Sequence, residues 1–157
     1  SALGYVYNML GRYQEAFEII QERARISPES YGTYSYAANA LIAQGRYEEA
    51  LEWAEQERLD GFKQTSLAII HWHLGNREKS DAAMASLIAQ QYDGWDWQVV
   101  QARAVRGEID EAFAAMDAAY ENRDSGLQLI LGDIHIANLR DDPRYDAMVR
   151  KIGIPVD

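Results

Sequence analysis

The chain has 157 residues, no cysteine, and 25 acidic against 15 basic side chains, a formal charge of −10. That length suits one ordinary domain or four to five stacked helical hairpins, and nearly half the residues are hydrophobic, enough to fill a shared core. The negative charge repels phosphate backbones and acidic membrane surfaces, so neither nucleic acid nor a membrane is an expected partner. Without cysteine a disulfide framework and a thiolate metal site are excluded, which leaves cytoplasm and periplasm equally open. Apolar runs such as Leu67-Ala68-Ile69-Ile70 are far too short to cross a bilayer, and no signal peptide is visible. The chain opens at Ser1 and reads as helical by Leu3, which suggests a segment of a longer protein.

In chain order, a helix over 2–10 stops at Gly11, and a second, over 13–26, follows the phrase Gly11-Arg12-Tyr13-Gln14-Glu15-Ala16. Ser27-Pro28-Glu29-Ser30 offers a capping hydroxyl ahead of a proline suited to a first helical turn, so a third helix is expected over 29–44. The phrase then returns as Gly45-Arg46-Tyr47-Glu48-Glu49-Ala50, a step of 34 residues from Gly11, the period of a helical-hairpin repeat. Helices over 47–58, 62–74, 77–91, 95–106 and 109–122 complete the series, with Gly75 and Gly107 marking the third and fourth turns. Glycine at each turn permits the positive φ that ends one helix before the next. Five residues after each glycine stands a small residue, Ala16, Ala50, Ser80 or Ala112. Seven residues before it stands Gly4, Ala38 or Ala68, with Val100 breaking the pattern in the fourth unit. Small residues there let paired helices approach closely.

The tail reads as a lid. Asp142 can cap and Pro143 can start a helix. Tyr145, Met148, Val149 and Ile152 then share one face, opposite Arg144, Asp146, Arg150 and Lys151, before Gly153 ends the run. A solenoid needs such an end, apolar within and charged outside. The expected fold is therefore all-α, an α-α superhelix: a right-handed solenoid of about four hairpins, at 1–28, 29–60, 61–92 and 93–124, with a C-terminal cap over 125–157.

These residues resemble a known family. Leu3-Gly4, Tyr7, Gly11, Tyr13, Ala16 and Pro28 are similar to one tetratricopeptide repeat missing its first positions. Tyr34, Ala37, Ala38, Leu41, Gly45, Tyr47 and Ala50 fall in the same frame. His71 and Arg103 occupy a position that is usually large and apolar, and Arg23 one where the family prefers alanine. Tyr120-Glu121-Asn122-Arg123-Asp124-Ser125-Gly126-Leu127, Leu139-Arg140-Asp141-Asp142-Pro143-Arg144-Tyr145 and the stretch 80–89 resemble the C-terminal tetratricopeptide region of bacterial class III adenylate or guanylate cyclases and winged-helix transcription regulators. The resemblance implies a regulatory, non-catalytic module that binds protein or peptide, with an upstream domain such as a nucleotide cyclase.

If Ala37, Ala38 and Leu41 pack inward, the opposite helix face lines a concave groove. The candidate contacts on the first helices are Tyr5, Asn8, Tyr36, Asn39, Ile69, Trp72, His73, Trp97, Gln98 and Gln101, an aromatic and amide-rich set suited to an extended peptide. Two readings stand for Trp72 and Trp97: ligand contacts, or packing against neighbouring helices or the chain's own tail. Asn8 and Asn39 are expected at the solvated groove edge. The Lys and Arg members of the clamp by which some tetratricopeptide domains hold carboxylates are absent. His71 and His73 point about 200° apart and cannot share an ion, and His135 is isolated. Glu48, Glu49, Glu52, Glu55 and Glu57 read as a solvated outer face. With no phosphate loop, nucleophile elbow or metal motif, no catalytic residue, cofactor or metal is assigned. Self-association is the second expectation, since a first hairpin short of its leading edge leaves apolar surface for a second copy or another domain; a helical-repeat hydrolase is a remote third.

Overall fold

The computed structural model describes residues 2–90 and 94–155, the side chains of Ala2 and Tyr5 excepted. It is built of α1 (Ala2–Met9), α2 (Tyr13–Ile26), α3 (Thr33–Ile42), α4 (Tyr47–Ala54), α5 (Asp60–His73), α6 (Arg77–Ala89), α7 (Asp96–Val105) and α8 (Ile109–Glu121). Two 3-10 helices, Ser125–Leu129 and Ile134–Leu139, and then α9 (Pro143–Lys151) form the tail. Among the described residues there is no strand. Successive helices pair as hairpins, and each hairpin stacks on the next through α2 and α3, α4 and α5, and α6 and α7. The odd-numbered helices also touch in sequence, α1 to α3 to α5 to α7, making a continuous inner layer. The result is a helical solenoid.

One turn recurs throughout. Gly11, Gly45, Gly75 and Gly107 adopt φ of 72°, 72°, 76° and 77°. The residue after each glycine donates its N–H five residues back, Arg12 to Tyr7 (2.9 Å), Arg46 to Leu41 (3.0 Å), Asn76 to His71 (2.9 Å) and Glu108 to Arg103 (3.0 Å). That bond satisfies a helix-end carbonyl and reverses the chain. The small positions behave as expected: Ala16, Ala50, Ser80 and Ala112 are fully buried, as are Ala38 and Ala68. A Cβ on Gly4 would sit 2.4 Å from Ile20 Cγ1. Val100 is also fully buried, so the fourth hairpin accommodates a larger residue at the same crossing.

Two expected helix bounds are corrected. The third helix begins at Thr33, not at 29, because Gly32 takes φ 73°, outside the helical region. Ser27 instead ends α2, and Ser30 donates to its carbonyl in a turn. The fourth helix stops at Ala54, which frees Glu57 to turn inward. Far from a solvated face, Glu57 is only 4 % exposed. Its carboxylate accepts from the N–H groups of Gly32 (3.3 Å), Ser35 (3.2 Å), Arg58 (2.9 Å) and Leu59 (3.1 Å). It thus serves the first turn of α3, where no local side chain caps, from the loop between α4 and α5.

The tail has an internal period of its own. Asp124, Asp133 and Asp142 stand nine residues apart, and each accepts from the N–H two residues on, in Gly126 (2.7 Å), His135 (2.9 Å) and Arg144 (2.9 Å). Three and six residues after each aspartate come Leu127 and Ile130, Ile136 and Leu139, and Tyr145 and Met148, all buried. Each aspartate starts a short helix whose inner side is apolar. In α9 this produces the expected lid, held by Tyr145 Oη donating to the Ile130 carbonyl (2.9 Å) and by Arg144 pairing with Asp110 of α8 (2.8 Å).

Candidate functional site

The tail crosses the inner layer from one end to the other. At the α7 end, a Cβ on Gly126 would meet Trp97 Cβ at 2.4 Å; at the α1 end, one on Gly132 would meet Met9 Cε at 2.0 Å. Between these close approaches the tail leaves a cavity of about 290 Å³. One wall is the inner layer, with Asn8 from α1, Ser35, Tyr36 and Asn39 from α3, Phe62, Thr65 and Ser66 from α5, and Gln98 and Gln101 from α7. The other wall is Asp124, Ser125, Gln128, Leu129, Asp133, Ile134 and His135 of the tail, with Trp95 at the start of α7. Such a volume holds a side chain or a small molecule, not an extended peptide.

Of the residues read from sequence as groove contacts, Asn8, Tyr36, Asn39, Gln98 and Gln101 meet on this cavity. Asn8 is buried rather than solvated at an edge, and Asn39 is half-buried. Trp97 is corrected to a tail anchor: it is 0 % exposed, its Nε1 donates to Asp133 Oδ2 (2.9 Å), and its N–H donates to Asp124 (3.0 Å). Ile69 is likewise fully buried in the core. Trp72 borders neither this cavity nor its neighbour; Arg77 lies 3.4 Å and Arg106 5.0 Å from its ring centroid, with Arg106 held by Ser80 and Asp81 of α6. The Tyr5 side chain lies outside the described residues. His73 stacks on Tyr47, ring centroids 4.5 Å apart, beside a second, more open cavity of about 420 Å³ that also touches Tyr13, Val105 and His135.

Electrostatically the first cavity is one-sided. No lysine or arginine lines it. Asp133 accepts from Trp97, Gln101 (2.6 Å) and the His135 N–H, and Asp124 from Trp97 and Gly126, but neither forms an ion pair among the described residues. Arg140 reaches only the main-chain oxygens of Leu131 (3.3 Å) and Asp133 (3.0 Å). Three wall residues carry a buried polar atom with no partner: Asn8 Oδ1, Ser35 Oγ and His135 Nε2. Burial, more than any neighbour, pushes the His135 imidazole below the usual histidine range, and burial with nearby Glu57 pushes the Tyr36 phenol up. Tyr36, Phe62 and Trp95 run along the cavity with ring centroids 6.1 and 5.0 Å apart. His71, though buried with an unpartnered Nδ1, lies off this site.

Sequence reading missed Phe62, Trp95, Asp124, Asp133 and His135. The nine-residue aspartate period was the available signal that the tail folds as an inward-facing strip. Among the described residues, no cluster of three or more His, Asp or Glu is arranged to hold a metal ion.

With this geometry in place, comparison with known proteins adds one finding: residues 32–56 match a family model described as Tetratricopeptide repeat. The match supports a tetratricopeptide-repeat protein. It covers α3 and α4, the hairpin carrying the second Gly-Arg-Tyr phrase, and the equivalent turns and small residues of the other three hairpins extend the same construction along the chain. No curated protein and no solved structure matches the chain. Tetratricopeptide repeats generally mediate protein–protein interaction and are generally non-catalytic. No helix among the described residues is long and apolar enough to cross a membrane.

Proposed function

We propose that this tetratricopeptide-repeat chain is a non-catalytic module that binds a protein or peptide on its inner face, with one partner side chain entering the space beneath the tail. The observation that carries this reading is the convergence of Asn8, Tyr36, Asn39, Gln98 and Gln101, drawn from α1, α3 and α7 of three different hairpins, on one cavity. Amide groups suit an extended backbone and the aromatics supply rigid contact area. The resemblance of the tail to that of bacterial cyclases and transcription regulators supports a place as the regulatory C-terminal part of a signalling protein, attached to an output domain and binding no nucleic acid itself. Isothermal titration against a peptide panel tests the reading: Tyr36→Ala should weaken binding while leaving the helical circular dichroism unchanged, and undiminished affinity in that variant would remove the inner face from consideration.

A second reading, self-association as a spacer or dimerisation unit, has its own support. Leu3 and Val6 on α1, with Leu10 just after it, leave an exposed apolar stripe. Shifted by the repeat of 34, Leu3 and Val6 correspond to Ala37 and Ala40, both fully buried within the stack. The same helix position is thus covered in the second hairpin and open in the first. Light scattering across a concentration series decides it: a strict monomer, unchanged by Val6→Glu, counts against self-association.

A further inference from the structure

We propose that the cavity under the tail is a site for one positively charged group on a slender stem: the ammonium or guanidinium of a basic peptide side chain, or a free amine of the same shape. Beside amides and hydroxyls the wall carries two carboxylates and unpartnered acceptors and, among the described residues, no lysine or arginine. Asp124 and Asp133 stand on its tail side with no ion-pair partner among the described residues, while Asn8 Oδ1 and Ser35 Oγ, on residues 5 % and 4 % exposed, have no hydrogen-bond partner at all. A buried acceptor without a partner is costly, and the carboxylates of Asp133, buried and held only by neutral donors, and Asp124, half-buried, have no counter-ion among the described residues. An ammonium carries three donors and no acceptor, and a guanidinium five. Either complements this wall as no anion or neutral acceptor does.

The remaining features agree. Phe62 and Trp95 line the cavity, their rings inclined at 79° to each other, and aromatic rings attract a cation through their quadrupole. The volume of about 290 Å³ is enough for a lysine- or arginine-sized group. A formal charge of −10 raises the local concentration of cations before they dock. Only the peptide source rests on the proposed function above; the charge assignment rests on the wall itself.

The test is calorimetric titration at low ionic strength, in a buffer free of amines, with tryptophan fluorescence, read against Trp95→Phe to isolate the Trp95 signal among four tryptophans, as a second readout. Agmatine and 1,5-diaminopentane represent free amines, and acetyl-Gly-Lys-Gly-amide a basic side chain. The neutral controls are 1-pentanol and the norleucine analogue of that peptide; glutarate is the anion. At least one cationic probe should bind saturably and weaken as salt is raised. Its neutral counterpart should bind at least about tenfold more weakly, and glutarate should not bind. Gln98→Lys, which places an ammonium on the cavity wall, should abolish binding while the melting temperature stays near that of the parent; Asp124→Asn should weaken it. Equal binding of cation and neutral isostere, no saturable binding by any cation, or unchanged binding by Gln98→Lys would overturn the proposal. A non-basic peptide that binds and quenches Trp95 would likewise overturn the charge assignment yet leave the interaction module standing. Binding by free amines with none by any peptide would uphold the site and remove the peptide reading.

Discussion

Trp97 Nε1 and Asp133 Oδ2 lie 2.9 Å apart across 36 residues of chain, and this bond fastens the tail to α7. The same aspartate starts the second 3-10 helix through the His135 N–H and holds Gln101. Asp133→Ala therefore strips three donors of their acceptor at once. It should lower stability by about 1–3 kcal/mol in urea unfolding and expose the inner layer to proteolysis within 124–139. A variant as stable and as resistant as the parent would show that the tail is not latched there.

Glu57 makes a comparable long-range link to the Gly32 and Ser35 N–H groups at the start of α3, and it also accepts from its neighbours Arg58 and Leu59 ahead of α5. Glu57→Ala should cost about 1–3 kcal/mol, because buried donors are left without partners. Glu52→Ala, on the exposed face of α4, should fall within about 0.5 kcal/mol of the parent. Chemical denaturation of the pair checks the distinction between a helix cap and a solvated acid.

Ala50 is fully buried where α4 crosses α3, and Ala50→Leu must force three more carbons into that crossing. A loss of about 1–3 kcal/mol is expected. Ala82→Leu, at an exposed position of α6, serves as the control. Melting temperatures that fall equally, or not at all, would refute the assigned hairpin register.

Arg123 follows α8 with φ 56°, the conformation glycine takes after α1, α3, α5 and α7, and Asp124 donates its N–H to the Ala119 carbonyl (2.8 Å) in the same pattern. Arg123→Gly should raise stability by up to about 1 kcal/mol, since the left-handed conformation carries no Cβ penalty in glycine. Gly45→Ala should lower it by a similar amount. Differential scanning calorimetry of both variants gives the signs.

All three histidines have their basicity lowered in the fold, chiefly by burial: His71, His73 and His135. Above the ordinary histidine value of 6.5 folded and unfolded chains are both neutral, and this contribution is fully present. As pH falls below 6.5 the unfolded chain takes up protons first, so stability declines. Asp142, held down to about 2 by Arg144, contributes its stabilisation above 3.8 and loses it only below that value. The melting temperature should thus drop between pH 7.5 and 5.5, less steeply in His135→Phe; a flat profile over that interval would contradict the burial of these rings.

Gly11, Gly45 and the small residues spaced around them determined the hairpin repeat by local chemistry alone, since a positive φ and a close helix crossing restrict which residues fit. The lid was equally legible, because Asp142, Pro143 and the Tyr145, Met148, Val149 face lie within one helix. The start of α3 was not, because its cap comes from Glu57, which is 25 residues away from Gly32 and indistinguishable in sequence from its solvated neighbours. Nor did the sequence decide which face of the inner layer is open. Helical periodicity assigned Asn8, Tyr36, Trp97 and Gln101 to one surface, but whether that surface meets solvent depends on what covers it. Only the tertiary structure brings the tail across, burying Trp97 against Asp133, gathering the amides around a cavity and adding two carboxylates to its wall. Periodicity fixes the direction of a side chain from its own helix; burial is set by chain that arrives from elsewhere.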